Sequence, residues 1–371
     1  MSGVSPTLVF RGLTVLLSVT TTLYYFKTPA DLKKKASLAG PLGPPNAEFD
    51  VRLRCARRSP SLAPPPSPPL PRRRRLMYVC LASPAMRQWC ERNWLSHPLV
   101  AEPVNSASSL LYVLQPLLFL RLHRGVALPP ELAFCLWAVG AIGLGSAAFH
   151  ATLRYGMQLA DELPMFALVL GASCALLRPA WGAAAPRAAA TALFGGLSAV
   201  LLTTERDGAG AAMHHLCRGV LSCTFSACFV FIFWRTAALA RADDEALQAA
   251  AAKAKAKAKA EAAPPSSRRR RAAGPSPPSI FAATFAIWMA TILCWIADIL
   301  CCDALQSLPL HLPFPHLHGF WHLGSAVGLH GIFVLLLLHE RLQQGAGGVR
   351  TAVCWGVVPY LTEEGSHSHD A

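Results

Sequence analysis

Charge is scarce in this chain. Asp, Glu, Lys and Arg make up 15% of its 371 residues, against about a quarter in soluble globular proteins. Acids are the scarcer sign, 20 against 34 bases. With 53% hydrophobic residues and a mean hydropathy of +0.37, this deficit excludes an ordinary soluble domain and indicates an integral membrane protein with polar appendages. C-x-x-C pairs are also missing from the 12 cysteines, which excludes a zinc ribbon. Most cysteines, such as Cys135, Cys174, Cys223 and Cys294, fall within apolar runs, where the thiol acts as a small hydrophobe. No internal repeat of the transporter kind is present. No RNP, KH or finger pattern accompanies the bases, so the net charge of +14 is not read as nucleic-acid binding. The bases lie in three runs, Lys33 to Lys35, Arg72 to Arg75 and Lys253 through Arg271, which suit solvated tails near anionic headgroups.

What is present is a succession of apolar runs. The first, residues 12–26, is short for a span of about 20 residues and is read as a signal sequence, an anchor or a marginal extra helix. Residues 27–80 are Pro- and Arg-rich, cannot bury a core, and belong to a mostly disordered extension, 1–87. Runs at 104–121, 132–150, 157–177, 184–203, 212–234, 280–300 and 319–339 are each long enough to cross a bilayer. The expected fold is therefore all-α, a seven-helix membrane bundle over 88–340. A low-complexity insertion, 236–279, separates helices five and six; its first half reads as a solvated helix and its second as a Pro/Ser/Arg linker. Residues 341–371 form a tail whose apolar piece, Val353 to Leu361, is too short to span.

The informative stretch is Ser146 to Met165, SAAFHATLRYGMQLADELPM. Ser146 and His150 are spaced i,i+4 and share a helix face. An antiparallel return brings Asp161 near the depth of His150. His318 and His322, again i,i+4, open the last apolar run. Counting helices puts all of these at one end of the bundle. Polar groups inside apolar helices are costly and mark function, and three imidazoles with a carboxylate and a hydroxyl suggest a zinc site with one open position. Asp161 is placed to hold a metal-activated water and relay its proton, and Ser146 to donate to an oxyanion. The plainer alternatives are a carboxylate that orients a ligand for Asp161 and helix back-bonding for Ser146. Glu162 faces about 100° away from Asp161 and reads as structural. His214 and His215 read as polar helix-start residues, His311 and His316 as loop residues, and Asp298, mid-helix, needs a partner.

At WCERNW, SAAFHATLRYGMQLADELPM and HGFWH the sequence resembles the alkaline ceramidase family, membrane amidases of the superfamily that includes adiponectin-receptor-like proteins. The pattern W-C-E-x-N, A-E-x-x-N, S-x-x-x-H, M-Q-L-x-D-E-L-P and H-x-x-W-H is present in order across about 88–340. The resemblance implies cleavage of the N-acyl bond of ceramide to a sphingoid base and a fatty acid. It implies zinc on His150, His318 and His322, with Ser146 and Asp161 catalytic. It also implies calcium on Gln88, the Trp89 carbonyl, Glu91, Asn93 and Glu102, with Gln88 in place of the family's Asp; an ion-free capping cluster is the alternative there. An endoplasmic-reticulum or Golgi membrane is the expected location, with lipid substrate and membrane as partners and no protein partner or nucleic acid. The alternative function is a non-catalytic receptor of the same superfamily with a structural zinc.

Two further expectations concern the ends of the bundle. Cys90, in the first loop, and Cys302, at the exit of helix six, border the same end and are read as a disulfide, with Cys301 the competing partner. Sidedness stays open. Arg121, Arg124, Arg178, Arg187 and Arg235 lie opposite the site, which argues for a non-cytoplasmic site, whereas the resemblance implies a cytosolic one.

Overall fold

The computed structural model describes residues 89–93, 99–204, 210–260, 274–308, 314–345 and 348–362. The extension 1–87 with its 12–26 run, Gln88, His311 and residues 261–273 of the insertion lie outside them.

Seven helices among these residues are long and apolar enough to cross a membrane, and the protein is an integral multi-pass membrane protein. They are α1 (Pro103–Leu122), α2 (Pro130–Thr152), α3 (Tyr155–Trp181), α4 (Ala184–Thr203), α5 (Ala211–Ala260), α6 (Pro277–Leu300) and α7 (Leu317–Gln343). Their starts follow local chemistry. α1, α2 and α6 each carry Pro in the first turn, where its missing N–H costs nothing and its fixed φ suits a helix. Ser276 caps α6 through its side chain.

The turn between α2 and α3 is only Leu153 and Arg154. Leu153 takes a left-handed conformation, φ 48°, which a bulky residue adopts at a cost of roughly 1–2 kcal/mol, and this makes the reversal tight. The two helices then meet at Gly145, where a Cβ would collide with the Ala160 carbonyl. Pro164, one turn on, has no N–H to give that carbonyl, so Ala160 is free of its usual helical bond where α2 approaches. α7 packs on α6 through a similar device. Gly324, Gly328 and Gly331, on one face at i, i+4 and i+7, leave no room for a Cβ against Thr291, Trp288 and Thr284. Small residues allow this backbone approach in membranes, where no hydrophobic force joins helices.

α5 continues without a break to Ala260, so the Ala/Lys-rich first half of the insertion is helical, as its propensity favours. Residues 350–362 depart from the all-α pattern. They pair as an antiparallel hairpin, β1 (Arg350–Cys354) and β2 (Val358–Thr362), turned by Trp355 and Gly356 at φ 50° and 74°, two successive positive values that match a type I′ turn. The hairpin docks at the end of the bundle away from Ser146. There His123 accepts from the Leu361 amide at 3.2 Å, and His330 Nε2 meets the Pro359 carbonyl at 2.9 Å. At this end Glu131 pairs with Arg178 and Arg187, Arg178 also reaches Glu340, and His339 meets Asp243 at 2.9 Å.

Candidate active site

The opposite end of the bundle gathers the polar residues singled out in the sequence. His150 from the last turn of α2, and His318 and His322 from the first turns of α7, are all buried. One ligand nitrogen of each lies within 4.8 Å of the other two, the only such triad of metal-binding type among the described residues. The rings meet edge to face or tilted, with centroids 4.6–5.1 Å apart.

Hydrogen bonds set which nitrogens face inward. His150 Nδ1 lies 2.5 Å from Glu102 Oε2. An ionised carboxylate only accepts, so Nδ1 carries the hydrogen and Nε2 is left with its lone pair. That Nε2 is buried and has no hydrogen-bond partner. His322 Nδ1 is 2.8 Å from Ser108 Oγ, which in turn donates to the Asn105 carbonyl. His318 Nδ1 is buried with no partner. Unpartnered nitrogens in a dry site are costly, and three neutral imidazoles with free lone pairs form a donor set that fits one zinc-type cation.

Ser146 and Asp161 come together beside this triad. The α2–α3 approach that Gly145 permits sets them side by side: a Cβ on Gly145 would lie 2.9 Å from the Asp161 amide nitrogen. Ser109 Oγ donates its one hydrogen to the Asn105 carbonyl at 2.7 Å, so in its 3.1 Å contact with Ser146 Oγ it is Ser146 that donates. Tyr112 completes this side, hydrogen-bonded to Ser325 at 2.5 Å. Ser108, Ser109 and Tyr112 are not among the residues singled out in the sequence, and Asn105 enters there only as the last residue of A-E-x-x-N. The signal was a polar stripe at i, i+3/i+4 and i+7 along an otherwise apolar helix.

The first loop packs directly against the triad. Trp89 stacks on His318, with centroids 3.8 Å apart and planes at 18°, and its amide donates to Glu102 Oε1 at 3.1 Å. Glu91 accepts from the amides of Val104 and Asn105 at 2.9 and 2.8 Å, holding the start of α1. Asn105 Nδ2 donates to Glu102 Oε2, so Glu91 and Glu102 are buried on either side of Asn105. Burial raises the Glu91 carboxyl above its ordinary value; the two amides lower it, and the Glu102 charge adds to the rise. Two crowded carboxylates with the Trp89 carbonyl and Asn93 nearby are oxygen donors of a kind calcium takes. Glu91 also acts as a cap, as the plainer alternative had it. Gln88 lies outside the described residues.

Several other sequence expectations now have partners. Cys90 and Cys302 are disulfide-bonded, and Cys301 is free and exposed. Asp298 accepts from the Cys90 amide at 3.1 Å. Arg92 donates to the carbonyls of Gln306 and Leu308, pinning the loop to the α6–α7 connection. Glu162 is held by Arg218 through both oxygens, at 2.7 and 2.8 Å. His214, in the first turn of α5 as expected, is fully buried, with Tyr155 at 2.9 Å and Thr204 at 3.2 Å.

The ceramidase family model matches residues 83–362, which takes in the loop, all seven spans and the hairpin. The chain belongs to the ceramidase family. Among curated proteins it is similar to alkaline ceramidase 3 of Mus musculus, 38% identical over 77 residues, 21% of this chain and 29% of that protein. Alkaline ceramidase YPC1 of Saccharomyces cerevisiae is 34% identical over 77 residues, 21% and 24% of the two chains. The alkaline ceramidase of Drosophila melanogaster is 35% identical over 86 residues, 23% and 30%. These matches span less than a third of each relative's length.

Proposed function

We propose that the protein hydrolyses the N-acyl amide bond of ceramides, releasing a sphingoid base and a fatty acid. The observation that carries this reading is the buried triad His150, His318 and His322, with unpartnered nitrogens, beside the Ser146–Asp161 pair in a family of ceramidases. The family match favours the hydrolase over the receptor alternative.

His150, His318 and His322 are the zinc ligands of this proposal. When bound there, zinc polarises an amide carbonyl and makes hydroxide available near neutral pH. The residues supply the rest. Glu102 and Ser108 hold His150 and His322 in the tautomer that leaves Nε2 free. Asp161 accepts a proton from the attacking water and passes it to the departing amine. Ser146 donates to the oxygen of the attacked carbonyl. Its hydrogen is directed at Ser109 Oγ at rest and turns to the oxyanion as charge develops there. The buried position excludes bulk water, which strengthens each of these bonds. Gln88, the Trp89 carbonyl, Glu91, Asn93 and Glu102 are the residues that would hold calcium in this proposal, and a cation there would relieve the repulsion between the two carboxylates and steady the loop.

The substrate reaches the site from within the bilayer, between helices. The Cys90–Cys302 bridge at the site end supports a site on the oxidising side of the membrane, and so does the clustering of Arg121, Arg124, Arg178 and Arg187 at the other end. An endoplasmic-reticulum or Golgi membrane fits that placement. Release of fatty acid from ceramide by the purified full-length protein, with and without a chelator, tests the reading. Chelator-sensitive release is the expected result, and no release from zinc-loaded protein overturns it.

A further inference from the structure

Resting on the zinc reading above, we infer that the Trp89 indole is the positioning element for His318, doing by ring stacking what hydrogen bonds do for the other two imidazoles. The three are not held alike. His150 is fixed by Glu102 at 2.5 Å and His322 by Ser108 at 2.8 Å. Neither ring nitrogen of His318 makes a hydrogen bond among the described residues, and Nδ1 is fully buried, so whichever nitrogen faces the metal, no hydrogen bond from the other sets the angle of the ring about its bond to Cβ. A metal-binding imidazole ordinarily has such a bond, and losing it costs affinity. The other constraint on the plane of His318 is Trp89, 3.8 Å away and nearly parallel. A stacked aromatic neighbour restricts ring rotation because turning the imidazole drives its edge into the indole face.

Trp89 can do this because it is itself immobilised from several sides. Its amide is tied to Glu102. The next residue, Cys90, is bound to Asp298 through its amide and to Cys302 through sulfur. Its ring also has Trp295 beside it, at 6.2 Å. The indole Nε1 is buried without a hydrogen bond, so ring packing, not a donor–acceptor bond, fixes the side chain. Glu102 therefore orients two imidazoles, His150 directly and His318 through the backbone and ring of Trp89. This role of the side chain is separate from the carbonyl oxygen offered to calcium, which any residue supplies.

The test compares full-length wild-type protein in detergent with Trp89→Leu, which keeps an apolar filler, and Trp89→Phe, which keeps a flat ring. Zinc affinity is measured by competition with a chromogenic chelator, and the thermal midpoint is taken on zinc-stripped samples. The expected result is 10- to 100-fold weaker zinc binding for Trp89→Leu, with Trp89→Phe within about threefold of wild type and stripped midpoints alike. Wild-type affinity in Trp89→Leu overturns the inference, as does an equal loss in both variants. If Trp89→Leu unfolds early, Trp89→Phe decides: retained affinity supports the stack and lost affinity overturns it. Wild-type protein that binds no zinc overturns the underlying metal reading, and is seen before any variant is made.

Discussion

Glu102 accepts the Nδ1 hydrogen of His150 at 2.5 Å across 48 residues of sequence, and the same carboxylate holds the Trp89 amide and the Asn105 side chain. Glu102→Ala is therefore expected to disturb the centre although it leaves all three imidazoles in place. Zinc affinity should fall by about 10- to 100-fold, the usual effect of removing such a partner, and fatty-acid release with it. Metal titration of the variant at wild-type affinity would show that His150 needs no help from Glu102.

Asp161 and Glu162 are neighbours with opposite prospects. Asp161→Asn should lower turnover by about 100- to 10,000-fold, the range for loss of a general acid–base, while zinc content stays at the wild-type level. Glu162→Gln should act on stability, because it weakens the buried pair with Arg218; breaking such a pair outright costs about 3–5 kcal/mol. Glu162→Leu combined with Arg218→Met should recover much of that loss, since an apolar replacement of both partners leaves no unpaired charge. Turnover assays and thermal midpoints on these three proteins separate the roles, and unimpaired turnover in Asp161→Asn removes it from the mechanism.

Gly145 has no polar group, yet it governs the distance between Ser146 and Asp161. Gly145→Val forces α2 away from the Ala160 carbonyl. Overpacking of this kind costs about 1–3 kcal/mol, and a displacement near 1 Å in a catalytic pair costs about 100-fold in rate. Turnover should fall far more than the thermal midpoint does. A variant as active as wild type would show that the close approach is incidental.

His123 makes docking of the hairpin pH-dependent. Burial lowers its pKa from 6.5 to about 4. Its Nδ1–H donates to the Phe119 carbonyl at 2.8 Å and its Nε2 accepts from Leu361, an arrangement only the neutral ring permits. The undocked state binds the proton more readily, so the stability of docking is full above pH 6.5 and falls as pH drops toward 4. The loss reaches about 3 kcal/mol over that range. Hydrogen exchange at the Leu361 amide, corrected for intrinsic rate, should accelerate between pH 7 and 4.5. Constant protection would dissociate the hairpin from His123 titration.

The seven spans were legible because a bilayer demands long apolar runs, and the triad because i,i+4 spacing and helix parity fix both face and end. The partners of those residues were not. Glu102 lies 48 residues from His150, and no periodicity connects a loop residue to a helix end. The stacking of Trp89 on His318 depends on how the loop folds back, which spacing does not encode. The hairpin at 350–362 escapes a reading by membrane length, because its apolar run is too short to span. Thr351, Val353, Val357 and Val358 around Trp355-Gly356 carried a strand-and-turn signal. The Arg218–Glu162 pair was hidden for a different reason: each residue sits alone on its own helix, and only the packing of α3 on α5 brings them together.

The bridge between Cys90 and Cys302 spans 212 residues, and that separation has a consequence for biogenesis. Cys90 leaves the ribosome before α1, while its partner follows α6, and two of the three imidazoles come later still. At roughly 5–20 residues per second, synthesis of the intervening chain takes on the order of 10–40 s, during which Cys90 lacks its disulfide partner and its loop can dock only on the start of α1. The order of emergence therefore makes the centre one of the last parts of the molecule to be completed. The three imidazoles can meet only after the seventh helix begins to enter the bundle, so a chain truncated or stalled before α7 leaves the membrane apparatus with six helices and an unfinished site.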